Sequence, residues 1–226
     1  MTDSNAVRKT ELPVPKLVPD TFKQLRDLIY EKTGIHFQDN KTYLLESRLL
    51  PRLKACRCQT FESYLNFLRF DAYRDREVTE LYTVITTNET YFFRDEAQLD
   101  SFMKVMIPEV MKTNAGTKQI RIWSAACSTG DEPYTLALLL RDYPPLNGWT
   151  IDILATDISE NVLNIARTAT YSSHSLRKVP PAMLARYFTG KKEEQTLVQP
   201  VKDMVRFMNV NLYDRPRLKL IRGIDI

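Results

Sequence analysis

Apolar residues in the first half of the chain recur at intervals of three and four, the period of a helix with one buried face. FKQLRDLIYEKTG places Phe22, Leu25, Leu28 and Ile29 on one side and reaches a stop signal at Gly34. DNKTYLLESRLLPRLKA predicts a second helix, interrupted or ended near Pro51, because proline has no N–H to donate and crowds the preceding turn. TFESYLNFLRF and DREVTELYTVIT predict a third and a fourth, and EAQLDSFMKVMIPEVMKTN a fifth leading towards Gly116. No strand pattern occurs before 119. There the period changes: QIRIWSAA reads as a strand, DEPYTLALLLRDY as a helix, WTIDILATDIS as a strand and ENVLNIARTATY as a helix. Alternation at this spacing predicts βαβ units and a parallel sheet. SLRKVPPAMLARYF is a short amphipathic segment, LVQPVKDMVRFMNVNL reads as two short strands, and GIDI as the start of another. Strands are expected near 119–125, 150–156, 205–211 and 223–226.

Composition narrows the class. The 226 residues are 43% apolar and 27% charged, ordinary for a soluble globular protein. The apolar runs fall short of the roughly 18 residues that span a bilayer, and the opening MTDSNAVRKTELPVPKLVP lacks a signal peptide's apolar core. A cytoplasmic protein with no membrane insertion is expected. Residues 1–16 mix Pro, Ser, Thr and charge and are expected to form a disordered tail. Cys56 and Cys58 form a C-x-C with no second pair and no nearby histidine, which argues against a zinc site. Two histidines, His36 and His174, leave little material for a histidine triad, and no metal site is expected. The net charge of +4 does not by itself point to nucleic acid.

Candidate chemistry concentrates in RIWSAACSTGDEPYTLALLL, residues 121–140. A strand-to-helix turn at the carboxyl end of a parallel sheet presents backbone N–H groups to a ligand. This turn carries two acids, Asp131 and Glu132, which would repel a phosphate. They suit a ligand with a positive pole, and S-adenosylmethionine has an ammonium, a sulfonium and ribose hydroxyls. The plainer alternative is that both acids only favour the helix N-terminus, worth about 0.3–1 kcal/mol. A further acid, Asp157, ends the next strand about 25 positions on, where Rossmann-type sites place a ribose-binding carboxylate. It could instead cap the following helix, as Ser159 could.

Four strings, RIWSAACSTGDEPYTLALLL, LATDIS, VRFMNVNLYD and TTNETYFFRDEAQLDSF, together resemble the chemotaxis receptor methyltransferases (CheR), over about residues 20–226. The resemblance implies an α/β protein. An all-helical N-terminal domain precedes a Rossmann-like S-adenosylmethionine-dependent methyltransferase domain carrying an inserted small antiparallel β-subdomain. It implies methyl transfer from S-adenosylmethionine to glutamates on the cytoplasmic helical bundle of chemoreceptors, with S-adenosylhomocysteine as product. The expected divisions are a helical receptor-recognition domain over 17–88, a linker helix over 89–118, and the methyltransferase domain over 119–226 with its β-subdomain at about 185–209. Carried over by position, the cofactor contacts are Asn88, Thr90, Arg94, Glu132, Asp157, Asn211 and Leu212. Arg94 is the candidate catalytic residue, pairing with a carboxylate of acceptor or cofactor; a salt bridge to Asp95 or Glu96 is its structural alternative. Glu132 rather than Asp131 matches the second acid of the family's string.

Between Asp39 and Cys58 lie five basic residues (Lys41, Arg48, Arg52, Lys54, Arg57) and two acids (Asp39, Glu46). Arg48, Arg52 and Lys54 are the candidate recognition residues for a glutamate-rich receptor region, Arg48 and Arg52 sharing one face if the helix continues past Leu50; the alternative is a solvated basic face. Nothing accompanies this patch to suggest a nucleic-acid module. In part of the family the β-subdomain docks a receptor C-terminal pentapeptide by strand addition; the charged TGKKEEQT, with Gly190 alone, argues against that here. The family continues past GIDI with a Cys-Arg-Asn-containing motif and further strands, so the resemblance implies a catalytic domain without its C-terminal part, inactive or nearly so by itself. The competing readings are a non-catalytic relative that binds receptor, cofactor product or a regulator, and a methyltransferase of small molecules.

Overall fold

The computed structural model describes residues 14–226. The chain forms two compact units, one ending at Val78 and the other running from Thr79 to Ile226.

The first unit is helical. Helix α1 (Pro19–Thr33) has proline in its first turn and ends at Gly34, whose left-handed backbone (φ 72°) returns an N–H to the Tyr30 carbonyl. It buries Thr21, Phe22, Leu25 and Ile29, and packs on α2 (Thr42–Ala55) and α3 (Phe61–Phe70). Thr60 and Ser63 cap α3 reciprocally. Contrary to expectation, α2 runs through Pro51 without ending. Pro51 is exposed, so the carbonyl that loses its donor faces water. Leu45, Leu49 and Leu53, four apart and fully buried, hold the helix down on both sides of it.

Glu77, on α4 (Arg74–Ile85), is 5% exposed. It accepts from Arg52 Nε (2.9 Å) and Nη2 (2.6 Å) and from the Tyr64 hydroxyl (2.6 Å). Burial opposes its ionisation, but the hydrogen bonds from Arg52, Tyr64 and Cys56 outweigh it and hold the carboxyl below its ordinary range.

The second unit is α/β. After α5 (Glu96–Ser101), the expected single fifth helix widens into a π-turn at Phe102–Met106 before α6 (Ile107–Thr113). Strand β1 (Gln119–Ala125) leads to α7 (Asp131–Arg141), β2 (Thr150–Asp157) and α8 (Glu160–Thr168). The parallel sheet is completed by β6 (Val205–Asn209) in the order β1-β2-β6. Ile120, Ile122, Ile153 and Ala155 point into a core shared with Tyr134, Leu138 and Leu163. On the far side of β1, Trp123 N–H donates to the Ile226 carbonyl (2.8 Å) and Asp225 N–H to that of Arg121 (2.9 Å). The expected strand at 223–226 is present as these backbone bonds rather than as a regular strand.

A separate antiparallel sheet comprises β3 (Thr170–Ser172), β4 (Phe188–Lys191) and β5 (Glu194–Leu197), in the order β3-β5-β4. α9 (Pro181–Tyr187) precedes β4, and α10 (Gln199–Lys202) follows β5; α11 (Arg215–Leu218) follows β6. The β-subdomain expected over about 185–209 therefore starts earlier and ends sooner. Its first strand begins within the expected helix ENVLNIARTATY, which stops where Ala169 turns left-handed (φ 53°). Residues 205–209 belong to the parallel sheet. Gly190 is required in the β4–β5 hairpin: its φ is 123°, and a Cβ there would sit 2.7 Å from the Glu194 carbonyl oxygen.

Candidate functional site

The turn after β1 is built by left-handed residues in alternation: Ala126 (φ 57°), Ser128 (φ 49°) and Gly130 (φ 89°). Small side chains limit the cost of φ > 0 at the first two positions. Gly130 has no alternative, because a Cβ would lie 2.9 Å from Ala166 Cβ and 3.1 Å from the Tyr171 hydroxyl. Asp157, at the end of β2, secures this turn. Its carboxylate accepts from Ser128 N–H and Ser159 N–H, both at 2.9 Å, and it is 6% exposed.

The two adjacent acids separate in role. Asp131 is fully buried and accepts from the hydroxyls of Thr129 (2.6 Å) and Ser175. Burial pushes its carboxyl above the ordinary aspartate range, against those hydrogen bonds. Glu132 is exposed, accepts from Ser124 Oγ (2.7 Å), and lines an open cavity of about 350 Å³.

The opposite wall of that cavity is the segment 87–95, with Gln98 and Leu99 of α5. Thr90 and Arg94 line it. Arg94 Nη1 donates to the Glu89 carbonyl (2.7 Å), curling the segment on itself. The acids suggested as salt-bridge partners for Arg94 are engaged elsewhere: Asp95 caps α5 through Gln98 N–H (3.1 Å), and Glu96 pairs with Lys178 (3.1 Å). Phe93 takes a left-handed backbone (φ 57°) and donates its N–H to Thr135 Oγ1 (3.2 Å). Cys127 faces the same space; burial, then the nearby Asp157 carboxylate, pushes its thiol up to about 12, so it is a poor nucleophile at neutral pH.

Three of the seven expected cofactor residues, Thr90, Arg94 and Glu132, thus line one cavity. The other four lie outside its lining. Asn88 borders it, its carbonyl 3.5 Å from Ser128 Oγ, and Asp157 sits behind the turn. Asn211 and Leu212 follow β6, where Val210 N–H bonds to the Asp157 carbonyl (2.9 Å); Asn211 Oδ1 accepts from Tyr213 N–H (2.9 Å), and Leu212 is 43% exposed. Glu89 and Gln98 line the cavity without having been expected there. Glu89 lies inside the quoted TTNETYFFR string; Gln98 had no signal beyond its helix. Of the expected recognition residues in the first unit, Lys54 is exposed, Arg48 half-buried, and Arg52 tied to Glu77.

The geometry suits a polar ligand carrying both signs of charge. Glu132 can accept from hydroxyl or ammonium groups. A guanidinium has five donors, so Arg94 can hold the Glu89 carbonyl and still pair with a carboxylate. The volume falls in the usual range for small-ligand pockets, about 300–1,000 Å³.

Comparison with known proteins gives the family. The profile "CheR methyltransferase, all-alpha domain" matches residues 20–86, and "CheR methyltransferase, SAM binding domain" matches residues 88–226. Chemotaxis protein methyltransferase 2 of Vibrio cholerae is 35% identical over 213 residues, covering 93% of this chain and 73% of that protein. Chemotaxis protein methyltransferase of Borreliella burgdorferi is 35% identical over 203 residues, covering 88% and 71%. Chemotaxis protein methyltransferase of Escherichia coli is 32% identical over 195 residues, covering 84% and 65%. With both profiles matched in sequence, the first on the helical residues and the second on the unit that holds the cavity, the chain belongs to the CheR methyltransferase family.

Proposed function

We propose that this protein methylates glutamate side chains of chemoreceptors, binding S-adenosylmethionine in the cavity between segment 87–95 and the turn 126–132 and releasing S-adenosylhomocysteine. The observation that carries this reading is the convergence of Arg94, Thr90 and Glu132 on one cavity at the carboxyl end of β1. When bound, the cofactor supplies an electrophilic methyl group on a sulfonium. Glu132 accepts hydrogen bonds from the ligand's hydroxyl or ammonium groups. Asp157 keeps acceptor capacity beyond the two backbone N–H groups it binds, since a carboxylate offers about four lone-pair sites. Arg94 pairs with a carboxylate, that of the cofactor or of the acceptor. Asn88, Asn211 and Leu212, outside the cavity lining, are assigned to the cofactor by their positions in the family's strings alone.

The acceptor glutamate is ionised at neutral pH, with a reference pKa of about 4.3, so no general base is needed. The work left to the chain is to hold the reactants in line and exclude water, an effect worth about 7–11 kcal/mol in favourable systems. The helical residues 17–88 serve as the receptor-recognition domain, with Arg48 and Lys54 meeting a glutamate-rich cytoplasmic receptor bundle and Arg52 setting the position of α2. Residues 89–118 link it to the methyltransferase domain, and the protein works in the cytoplasm.

Titration calorimetry with S-adenosylhomocysteine tests the cofactor half of the proposal. Binding is expected, and Glu132→Gln should weaken it by about 1–3 kcal/mol, as for a hydrogen-bonded charge replaced by an amide. No heat and no thermal shift at saturating ligand would overturn the reading.

A further inference from the structure

Segment 171–178, which runs from β3 towards α9, does not line the cavity, yet it touches both of its walls. On the turn side, Tyr171 OH donates to the Thr129 carbonyl (2.8 Å), and Ser175 Oγ donates to the buried Asp131 carboxylate. On the other side, Ser175 offers its own carbonyl to Phe92 N–H (3.1 Å). The Phe92 ring stands edge-on to Tyr171 with centroids 4.8 Å apart, and the Arg177 guanidinium lies 3.5 Å from the centre of the Tyr91 ring. Phe92 is fully buried and Tyr171 is 4% exposed. Lys178 and Glu96 add an exposed ion pair, which contributes little. Ser175 is therefore bonded at once to the residue beside Glu132 and, through Phe92, to the residues between Thr90 and Arg94.

We propose that segment 171–178 is a clasp that positions the two cofactor-binding walls, with Ser175 as its pivot: a positioning residue that acts through Arg94 and Thr90 without touching the ligand. The inference rests on the reading of the cavity as the cofactor site. Its logic is preorganisation. Segment 87–95 contains a left-handed Phe93 and is bent back on itself by Arg94; left alone, such a segment samples many conformations, and ligand binding would have to order it. The clasp fixes it beforehand.

The test is calorimetry with S-adenosylhomocysteine on the full 226-residue chain and on Ser175→Ala, Ser175→Thr, Tyr171→Phe, Arg94→Lys and the Ser175→Ala/Arg94→Lys pair, with a ligand-free melting curve for each. Ser175→Ala should bind about tenfold more weakly than wild type, as for loss of a bond to a buried carboxylate. Ser175→Thr, which keeps the hydroxyl, should recover most of that loss. In the Arg94→Lys background the Ser175→Ala effect should shrink to about twofold or less, because residues acting through one another are not additive. An equal loss in both backgrounds would mean that Ser175 merely stabilises the fold, and would overturn the proposal. So would unchanged affinity in Ser175→Ala. If Ser175→Ala does not stay folded, Tyr171→Phe decides: it keeps the ring and deletes only the bond to Thr129, and unchanged affinity there overturns the clasp. Wild type that fails to bind would instead overturn the cofactor reading itself.

Discussion

Two adjacent acids with opposite fates show what the residue scale decides. Asp131 and Glu132 look alike in sequence, and helix geometry separates them: one side chain turns into the protein and is fully buried, the next turns out to the cavity. Position within the family's string favoured Glu132, but the Ser175 hydroxyl that meets buried Asp131 was not legible, because it lies 44 residues away. Asp157 follows neither alternative simply: it does not cap α8, whose N-cap is Ser159, but accepts from Ser159 N–H and from Ser128 N–H of the turn. Asp157→Ala should accordingly weaken S-adenosylhomocysteine binding by about 1–3 kcal/mol and also lower the melting temperature without ligand, since two buried N–H groups lose their acceptor. Paired calorimetry and thermal melts check this; lost affinity at unchanged stability would assign Asp157 to the ligand alone. Gly130→Ala places a Cβ 2.9 Å from Ala166 Cβ at a φ of 89°, and should cost about 1–3 kcal/mol in urea unfolding.

At the scale of elements, the long periodic helices were legible because their apolar stripes repeat. The failures have local physical causes. Pro51 signals a break, but the exposed position and the Leu45–Leu49–Leu53 stripe override it. Strand β3 has three residues, too few for an alternation to show, and its partner is β5, across α9 and β4. Nor does spacing reveal the bond between α2 and α4. Arg52 fits a solvated basic face by charge count, yet its fork closes on buried Glu77 with Tyr64 in support. Glu77→Ala takes a carboxylate from the part-buried Arg52 guanidinium and the acceptor from the buried Tyr64 hydroxyl, so it should destabilise the first unit by about 1–3 kcal/mol. The pH dependence follows from the sign of the shift. Glu77 is held below its ordinary value in the folded state, so its contribution is present above the unfolded pKa of about 4.3 and is lost as pH falls through the lower folded value. Wild type should lose stability through that acid window, and Glu77→Gln should lose less over the same range. Acid unfolding followed by circular dichroism checks it; identical slopes would remove Glu77 from the account.

At the scale of the whole molecule, the proposed receptor-binding and cofactor-binding residues fall in different compact units, Arg48 and Lys54 in the first, Arg94 and Glu132 in the second. Receptor recognition and cofactor binding should therefore be separable by mutation. Arg52 is a poor probe, because reversing its charge would set two carboxylates together beside buried Glu77 and damage the fold. Arg48 and Lys54 are the other two expected recognition residues, and Lys54 is exposed. The double reversal Arg48→Glu/Lys54→Glu changes the net charge by four, from +4 to 0, and turns two charges attractive to a glutamate-rich bundle into repulsive ones. Methylation of receptor-bearing membranes should fall by about tenfold or more at low salt, mainly through slower association. Affinity for S-adenosylhomocysteine should stay unchanged. Raising the salt should narrow the gap between variant and wild type, because the attraction between the two proteins acts through solvent, where charges are screened over about 8 Å at 0.15 M. A salt-independent loss, or a parallel fall in cofactor affinity, would show that α2 serves the fold and that the receptor is recognised elsewhere.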